Sequence, residues 1–565
     1  MTTAPSFTSP DELAVPLDLL LTKPTRGLPA RMQPNSSWTR FGFELAKQPR
    51  TLASRGGALA RELGAIAAGR SDRAPAKADK RFSDVAWQQN PLLRRTMQAY
   101  LAASHTSEAL LADAGLDWRD TEKIRFVLDN IVEGLSPTNS PLLSPLGWKA
   151  LIDTGGLSAV RGLRAFARDM SSQPRVPAMV EPDAFAVGET VATTKGAVVL
   201  QTRAFELIHY TPQTPTVRST PLLIVPPVIN KYYILDIAPG RSLIEYLLQQ
   251  GQQVFTISWR NPLARHRSWD ADTYGQAIID ALDAVEQITG ADRTHLLATC
   301  SGGILAAMTA AHLTEIGEGD RIAGLALAVT VLDQNRAGFA SAALSERAAS
   351  AAIRASSAQG YLDGRTLAEV FAWLRPTDLV WRYWVNNYVQ GRRPAAFDVL
   401  FWNSDTTRMT AALHRDLVMM ALRNALTTPG AVSMLGTPVD LSTVTADAYV
   451  IGGIADHISP WQSAYRSARL LGSKDNRFVL SSSGHIASMV NPPNNPRASF
   501  RFAQADHETP EQWLDTAQTA TDSWWPDYAQ WLGERSGPEI DAPQSLGTGE
   551  YPPVAPAPGT YVHQN

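Results

Sequence analysis

One cysteine, Cys300, stands among 565 residues. That excludes an internal disulfide and, with so few thiols, a cysteine-based metal site, and no metal centre is expected. Charge of one sign is also lacking: 51 Lys and Arg against 54 Asp and Glu leave a net charge of −3, so no broad basic face for nucleic acid is implied. Long apolar runs are missing too. The longest, Ala323 to Leu332, is too short to cross a bilayer, and no basic n-region leads into the Leu13 to Leu21 segment as in a signal peptide. What is present, 44% hydrophobic and 19% charged residues, is the make-up of a soluble globular protein, and the length suggests two to four units. A cytosolic enzyme with no transmembrane segment fits these bounds.

The one sulfur lies where chemistry is easily done. Thr294 to Ala298 reads as a short apolar strand, followed by a turn of small residues and a helix from about Ser301 through Ala306, Ala307, Ala310 and Ala311. Such a strand-to-helix turn lifts a nucleophile clear of a sheet, and only small neighbours avoid collision there. A helix start also favours an anion, which predicts a thiol pKa lowered from about 8.5 toward neutrality. Taken alone, A-x-C-x-G is a weak pattern, and a lone cysteine is commonly a small buried hydrophobe. Two later segments change that. Tyr449 to Gly453 leads to Asp456-His457, and Phe478 to Ser483 leads to Gly484-His485, each a strand, a small-residue loop and an ionisable group. Nucleophile, acid and histidine follow in the order of the α/β-hydrolase template. His457 is a rival base, but the template places the histidine after the last strand and the acid one strand earlier, which favours His485.

Taken in order, residues 1–195 read as a mainly helical N-terminal domain, with amphipathic spacing over 41–69, 92–115, 119–134 and 146–170. Residues 196–335 read as the first part of an α/β-hydrolase core. Two antiparallel strands, 198–201 and 205–210, precede strand and helix in alternation from 222, which calls for a parallel sheet covered on both faces. The stiff loop Pro226 to Tyr233 after an early strand is placed to supply one oxyanion-hole N–H, from Ile229, the other coming from Ser301. Residues 336–437 are helical and rich in aromatics, including Trp373, Trp381, Trp384 and Trp402, and are expected to form a cap or lid. The core resumes over 438–537. The proline-rich stretch 538–565 reads as an extended, unpacked C-terminal tail.

Together these blocks resemble the polyhydroxyalkanoate (PHA) synthases, most closely their second class. The blocks are Pro226-Pro227 with Ile229-Asn230-Lys231-Tyr232-Tyr233, Ser258-Trp259-Arg260-Asn261-Pro262, Cys300-Ser301-Gly302-Gly303, Phe401-Trp402-Asn403-Ser404-Asp405-Thr406-Thr407-Arg408, Asp456-His457 and Gly484-His485. The likeness runs over nearly the whole chain from about Arg81. It departs at Ala298, where the family box G-x-C-x-G has glycine; one added methyl is expected to alter packing under the turn, not function.

The resemblance implies an acyltransferase that polymerises (R)-3-hydroxyacyl-CoA into polyester with release of CoA. Cys300 would be the nucleophile, His485 the general base and Asp456 its partner, with Asn230, Tyr232 and His457 as further candidate contacts. It also implies a cytoplasmic homodimer on PHA granules, with granule-associated proteins as neighbours and no cofactor, since coenzyme A belongs to substrate and product. A cysteine esterase, thioesterase or PHA depolymerase keeps the same triad and changes only the acceptor. A granule-coat scaffold would keep the fold and use none of the chemistry.

Overall fold

The computed structural model describes residues 36–77, 79–335, 346–456 and 458–565. The described residues fall into two units, one within Asp183–Gly364 and Asp398–Asn565, the other made of 36–182 with Arg365–Phe397.

The first unit is built on an eleven-stranded sheet. In chain order its strands are β1 (Gly196–Gln201), β2 (Phe205–Tyr210), β3 (Leu222–Val225), β4 (Val254–Trp259), β5 (Thr294–Thr299), β6 (Ile322–Ala328), β7 (Asp447–Gly453), β8 (Asn476–Ser481), β9 (Ser499–Gln504), β10 (Gln518–Thr521) and β11 (Ala555–Pro556). In space they run β10-β9-β8-β7-β6-β5-β3-β4-β2-β1-β11. The six from β8 to β4 are parallel, and antiparallel strands close both ends. Strands β3, β4 and β5 are buried at every residue, as expected of parallel strands covered on both faces. The chain steps from β3 outward to β4 and then back past β3 to β5, which opens a crevice at the carboxyl ends of these strands.

Several expected elements start or stop differently, for local reasons. One helix of the alternating run spans Ala271–Thr289, and Asp270 caps it by accepting from the Thr273 N–H at 3.0 Å. The segment read as an unpacked tail is extended but bound: Glu539–Asp541 pairs with Thr216–Arg218, β11 adds an edge strand to β1, and Tyr561 and Val562 are buried. Pro556 is tolerated there because an edge strand need not donate on its outer side.

In the second unit the stretch read as one helix over 146–170 is two, Pro145–Asp153 and Leu157–Ser171, broken where Gly155 and Gly156 take positive φ. The stretch 41–69 is likewise split into Ser36–Ala46 and Pro49–Ala67. Within this unit the Leu157–Ser171 helix packs on Trp384–Val389, with Phe166 edge-on to Trp384 and Tyr388, so part of the segment expected as cap shares its core with the N-terminal helices.

Candidate active site

Strand β5 ends at Thr299, and the next residue, Cys300, has φ 50° and ψ −121°, outside the ordinary regions for an L-residue. Helix Ser301–Glu315 starts directly after it. The strained corner is held by the Cys300 N–H, which donates to the Ala328 carbonyl at 3.0 Å. It survives only with small neighbours. A Cβ on Gly302 would lie 2.4 Å from the Pro226 carbonyl oxygen, and one on Gly303 would lie 2.1 Å from Thr330 Oγ1. Ala298, where a glycine was expected, is fully buried within β5 and registers against Leu327 of β6, so its methyl sits in the sheet packing.

The loop after β7 brings in the acid. Asp456 is 2% exposed, and its Oδ1 accepts from the Ile458 and Ser459 N–H groups, both at 2.8 Å. Its Oδ2 is 2.8 Å from Nδ1 of His485, the first residue of helix His485–Val490 after β8. The two loops are sewn together where Ile454 N–H donates to Ser481 and Ala455 N–H to Ser483. A carboxylate accepts only, so Nδ1 carries the hydrogen and Nε2 is left for the other side of the ring. The half-buried Cys300 lies near enough to act on the charge of that ring. Burial alone would lower the His485 pKa, but the charge and hydrogen bond of Asp456, followed by the contact with Cys300, overcome it and raise it to about 10.

The loop after β3 is braced on several sides. Val228 N–H donates to Ser301 Oγ at 3.1 Å, tying the loop to the residue after the sulfur. Thr407 N–H and Oγ1 both donate to the Ile229 carbonyl, Asn230 bridges to Thr406, and Trp402 Nε1 donates to the Lys231 carbonyl at 2.7 Å. Tyr233 donates to Asp405 at 2.8 Å. Tyr232 is 3% exposed and belongs to the hydrophobic core. The buried Lys231 ammonium donates to the carbonyls of Val562 and Gln564 at 2.7 and 2.6 Å, and burial holds its pKa below the usual range.

The structure therefore brings Cys300, Asp456 and His485 together and sets Ser301 and Ile229 on the two segments that flank the sulfur. His457 lies outside the described residues. Sequence reading missed the Ser301 side chain as a strut, the Ile458 and Ser459 N–H groups on Asp456, and Thr330 under the turn. Thr330 is presented by Val329, a β-branched residue at φ 47°, a strain that no sequence pattern announces.

A family model described as "Poly-beta-hydroxybutyrate polymerase (PhaC) N-terminus" matches residues 78–247, and one described as "alpha/beta hydrolase fold" matches residues 229–492. The chain is 44% identical to poly(3-hydroxyalkanoate) polymerase 1 of Ectopseudomonas oleovorans, over 89% of this chain and 89% of that protein. This chain belongs to the poly(3-hydroxyalkanoate) polymerases. It is 37% identical to the poly(3-hydroxyalkanoate) polymerase subunit PhaC of Cupriavidus necator, over 88% of this chain and 85% of that protein. Among solved structures, a monoacylglycerol lipase of Paleococcus ferrophilus aligns over 59% of this chain and 99% of its own, at 13% identity and a TM-score of 0.31, too low to support an equivalence. The polymerase family is the one that the motif blocks resemble, and it makes the chain an enzyme of acyltransferase type on an α/β-hydrolase core. Among the described residues no helix is long and apolar enough to cross a membrane, and no cluster of three or more His, Cys, Asp or Glu could hold a metal.

Proposed function

We propose that this chain joins (R)-3-hydroxyacyl units from coenzyme A thioesters into a polyester, through an acyl group carried on Cys300. The observation that supports it best is the imidazole of His485, held at 2.8 Å by Asp456, with Cys300 near enough to act on its charge. Sulfur attacks the thioester carbonyl, a C–S bond to Cys300 forms, the bond to coenzyme A breaks, and the proton held by His485 leaves with the coenzyme A thiol. Exchange of one thioester for another is close to isoenergetic, so the acyl group stays activated. Once the sulfur is acylated, its hydrogen bond and charge no longer raise the His485 pKa. The imidazole is then a better base than a persistent cation, and it takes the proton from the 3-hydroxyl of the attacking unit as the new ester forms, the acyl C–S bond breaks and the Cys300 sulfur leaves as thiolate.

The oxyanion of each tetrahedral intermediate is assigned to the N–H groups of Ser301 and Ile229. Val228 N–H is already spent on Ser301 Oγ, which makes the next N–H of that braced loop the available donor. Each such donor is worth about 3–4 kcal/mol. The chemistry calls for no cofactor beyond the coenzyme A of the substrate. A homodimer at the surface of cytoplasmic polyester granules, beside granule-associated proteins, completes the reading. The test is release of coenzyme A from (R)-3-hydroxyacyl-CoA by the purified chain, followed together with insoluble polymer. Polymer in proportion to the thiol is expected; free hydroxy acid in its place would make the chain a thioesterase.

A further inference from the structure

The segment Arg260-Asn261-Pro262-Leu263-Ala264-Arg265-His266-Arg267 carries four cationic or protonatable side chains in eight residues, in a chain of net charge −3. It leaves the carboxyl end of β4, and Arg203, from the turn between β1 and β2, lies beside it: Arg260 donates to the Arg203 carbonyl at 3.1 Å. Arg203, Arg265, His266, Ser268, Trp269 and Thr273 line a cleft of about 430 Å³.

No carboxylate answers these guanidinium groups among the described residues. Arg260 lies over the Tyr561 ring at 4.3 Å, Arg267 donates to the Ala264 carbonyl, and Arg265 points its Nε–H at His266 Nε2 from 3.1 Å. The adjacent acid, Asp270, turns its Oδ1 to the N–H and hydroxyl of Thr273 and makes no ion pair with these arginines. Elsewhere some partly buried arginines do meet carboxylates: Arg321 holds Asp283, Glu286 and Glu318, and Arg535 holds Asp447 and Asp475.

The contact between Arg265 and His266 sharpens the point. Leu263 N–H donates to His266 Nδ1 at 3.1 Å, so the neutral ring carries its hydrogen on Nε2. Arg265 then sets a donor against a donor. An anionic acceptor in the cleft, shared by the two groups after a small rotation of the Arg265 side chain, would satisfy both. Trp269 stacks on the His266 ring at 4.1 Å and 4° and is partly exposed, which adds a flat aromatic surface at the edge of the cleft. The position is also right for a substrate. Trp259, at the end of the same strand, donates to the Pro226 carbonyl at the base of the loop that flanks Cys300, and Asn261 accepts from the Arg408 N–H. Ligands of open parallel sheets bind at such carboxyl ends.

We propose that this cleft binds the phosphate groups at the nucleotide end of the acyl donor, with Arg203 and Arg265 as the phosphate ligands and Trp269 as a platform for the base. The assignment rests on the acyl-CoA reading above, and its test is chosen to separate the two. In calorimetry with the purified full chain, adenosine 3′,5′-bisphosphate binds the wild type. It binds the double variant R203A/R265A on the order of ten- to a hundredfold more weakly, the loss expected for charge-assisted hydrogen bonds. In kinetics, the ratio of kcat/KM for a 3-hydroxyacyl-CoA to that for the same acyl-pantetheine thioester, which lacks the phosphates, falls at least about tenfold in the variant. Equal affinity of variant and wild type for the bisphosphate, no binding by the wild type, or an unchanged ratio overturns the site. Inorganic phosphate bound as tightly as the nucleotide overturns the nucleotide assignment. If the wild type binds the bisphosphate and the variant does not, yet neither turns over acyl-CoA, the cleft stands and the polymerase reading falls.

Discussion

Asp456→Asn is the substitution whose effect the structure determines most closely. The Asp456 side chain uses its two oxygens differently: Oδ1 accepts from two backbone N–H groups at 2.8 Å, while Oδ2 accepts from His485 Nδ1. Asparagine keeps only one oxygen. Placing its amide nitrogen at the Oδ1 position would turn donors toward two donors, so the oxygen stays there and the nitrogen faces His485. Nδ1 must then accept, and the ring hydrogen moves to Nε2, the nitrogen that Asp456 leaves free for catalysis. A base in that tautomer cannot take a proton from sulfur or from a hydroxyl. The expected fall in kcat is roughly 10³- to 10⁴-fold, about 4–5.5 kcal/mol, the size seen when the same tautomer is forced in serine-protease triads. Asp456→Ala, which removes the carboxylate without supplying a competing donor, is expected to be no worse than Asn. The assay is initial release of coenzyme A at saturating substrate. An Asn variant within tenfold of wild type, or one clearly more active than Ala, would refute the reasoning.

Other consequences are equally concrete. The folded-state pKa of His485 is raised from 6.5 to about 10. The stabilisation it carries is therefore complete below about pH 6.5 and is lost as pH rises through about 10, so urea unfolding should show the gap between wild type and His485→Gln shrinking over that window. Gly302→Ala puts a methyl against the carbonyls of Pro226 and Val225, 2.4 and 2.6 Å from the ideal Cβ, where only backbone could move. A loss of about 1–3 kcal/mol with collapse of activity is expected, and a wild-type-like denaturation midpoint would contradict it. Lys231→Met orphans the Val562 carbonyl and leaves the Gln564 carbonyl with only the Asn261 amide. A cost of about 1–3 kcal/mol is expected, together with faster hydrogen exchange over 554–564 than in the wild type.

The nucleophile turn was legible in the sequence because its constraints are local. A strand, a run of small residues and a helix start leave one geometry for Cys300, and the chain order of Asp456 and His485 follows from the sheet that the 222–335 alternation demands. The rest was hidden where partners are distant in sequence. Nothing near Lys231 announces that its ammonium meets carbonyls about 330 positions later, and a proline-rich composition excludes helix at 538–565 without excluding an edge strand. The insertion shows the same limit. Its aromatic residues mark Arg365–Phe397 as core-forming, but periodicity does not say with which helices that core is shared, and Phe166 with Trp384 supplies the answer only in three dimensions. The arginines after β4 were countable, yet near-neutral overall charge masked them, and only the fold places Arg203 beside Arg265 on one cleft.

The central claim is that the acyl group rides on one sulfur. Mixing the purified chain with (R)-3-hydroxyacyl-CoA, quenching in acid within the first turnover and mapping peptides by mass spectrometry tests it directly. A hydroxyacyl increment on the peptide containing Cys300, removed by neutral hydroxylamine and matched by a stoichiometric burst of coenzyme A, is the predicted result. Polymer formed by a Cys300→Ala chain, or coenzyme A released with the increment on another residue, would contradict it.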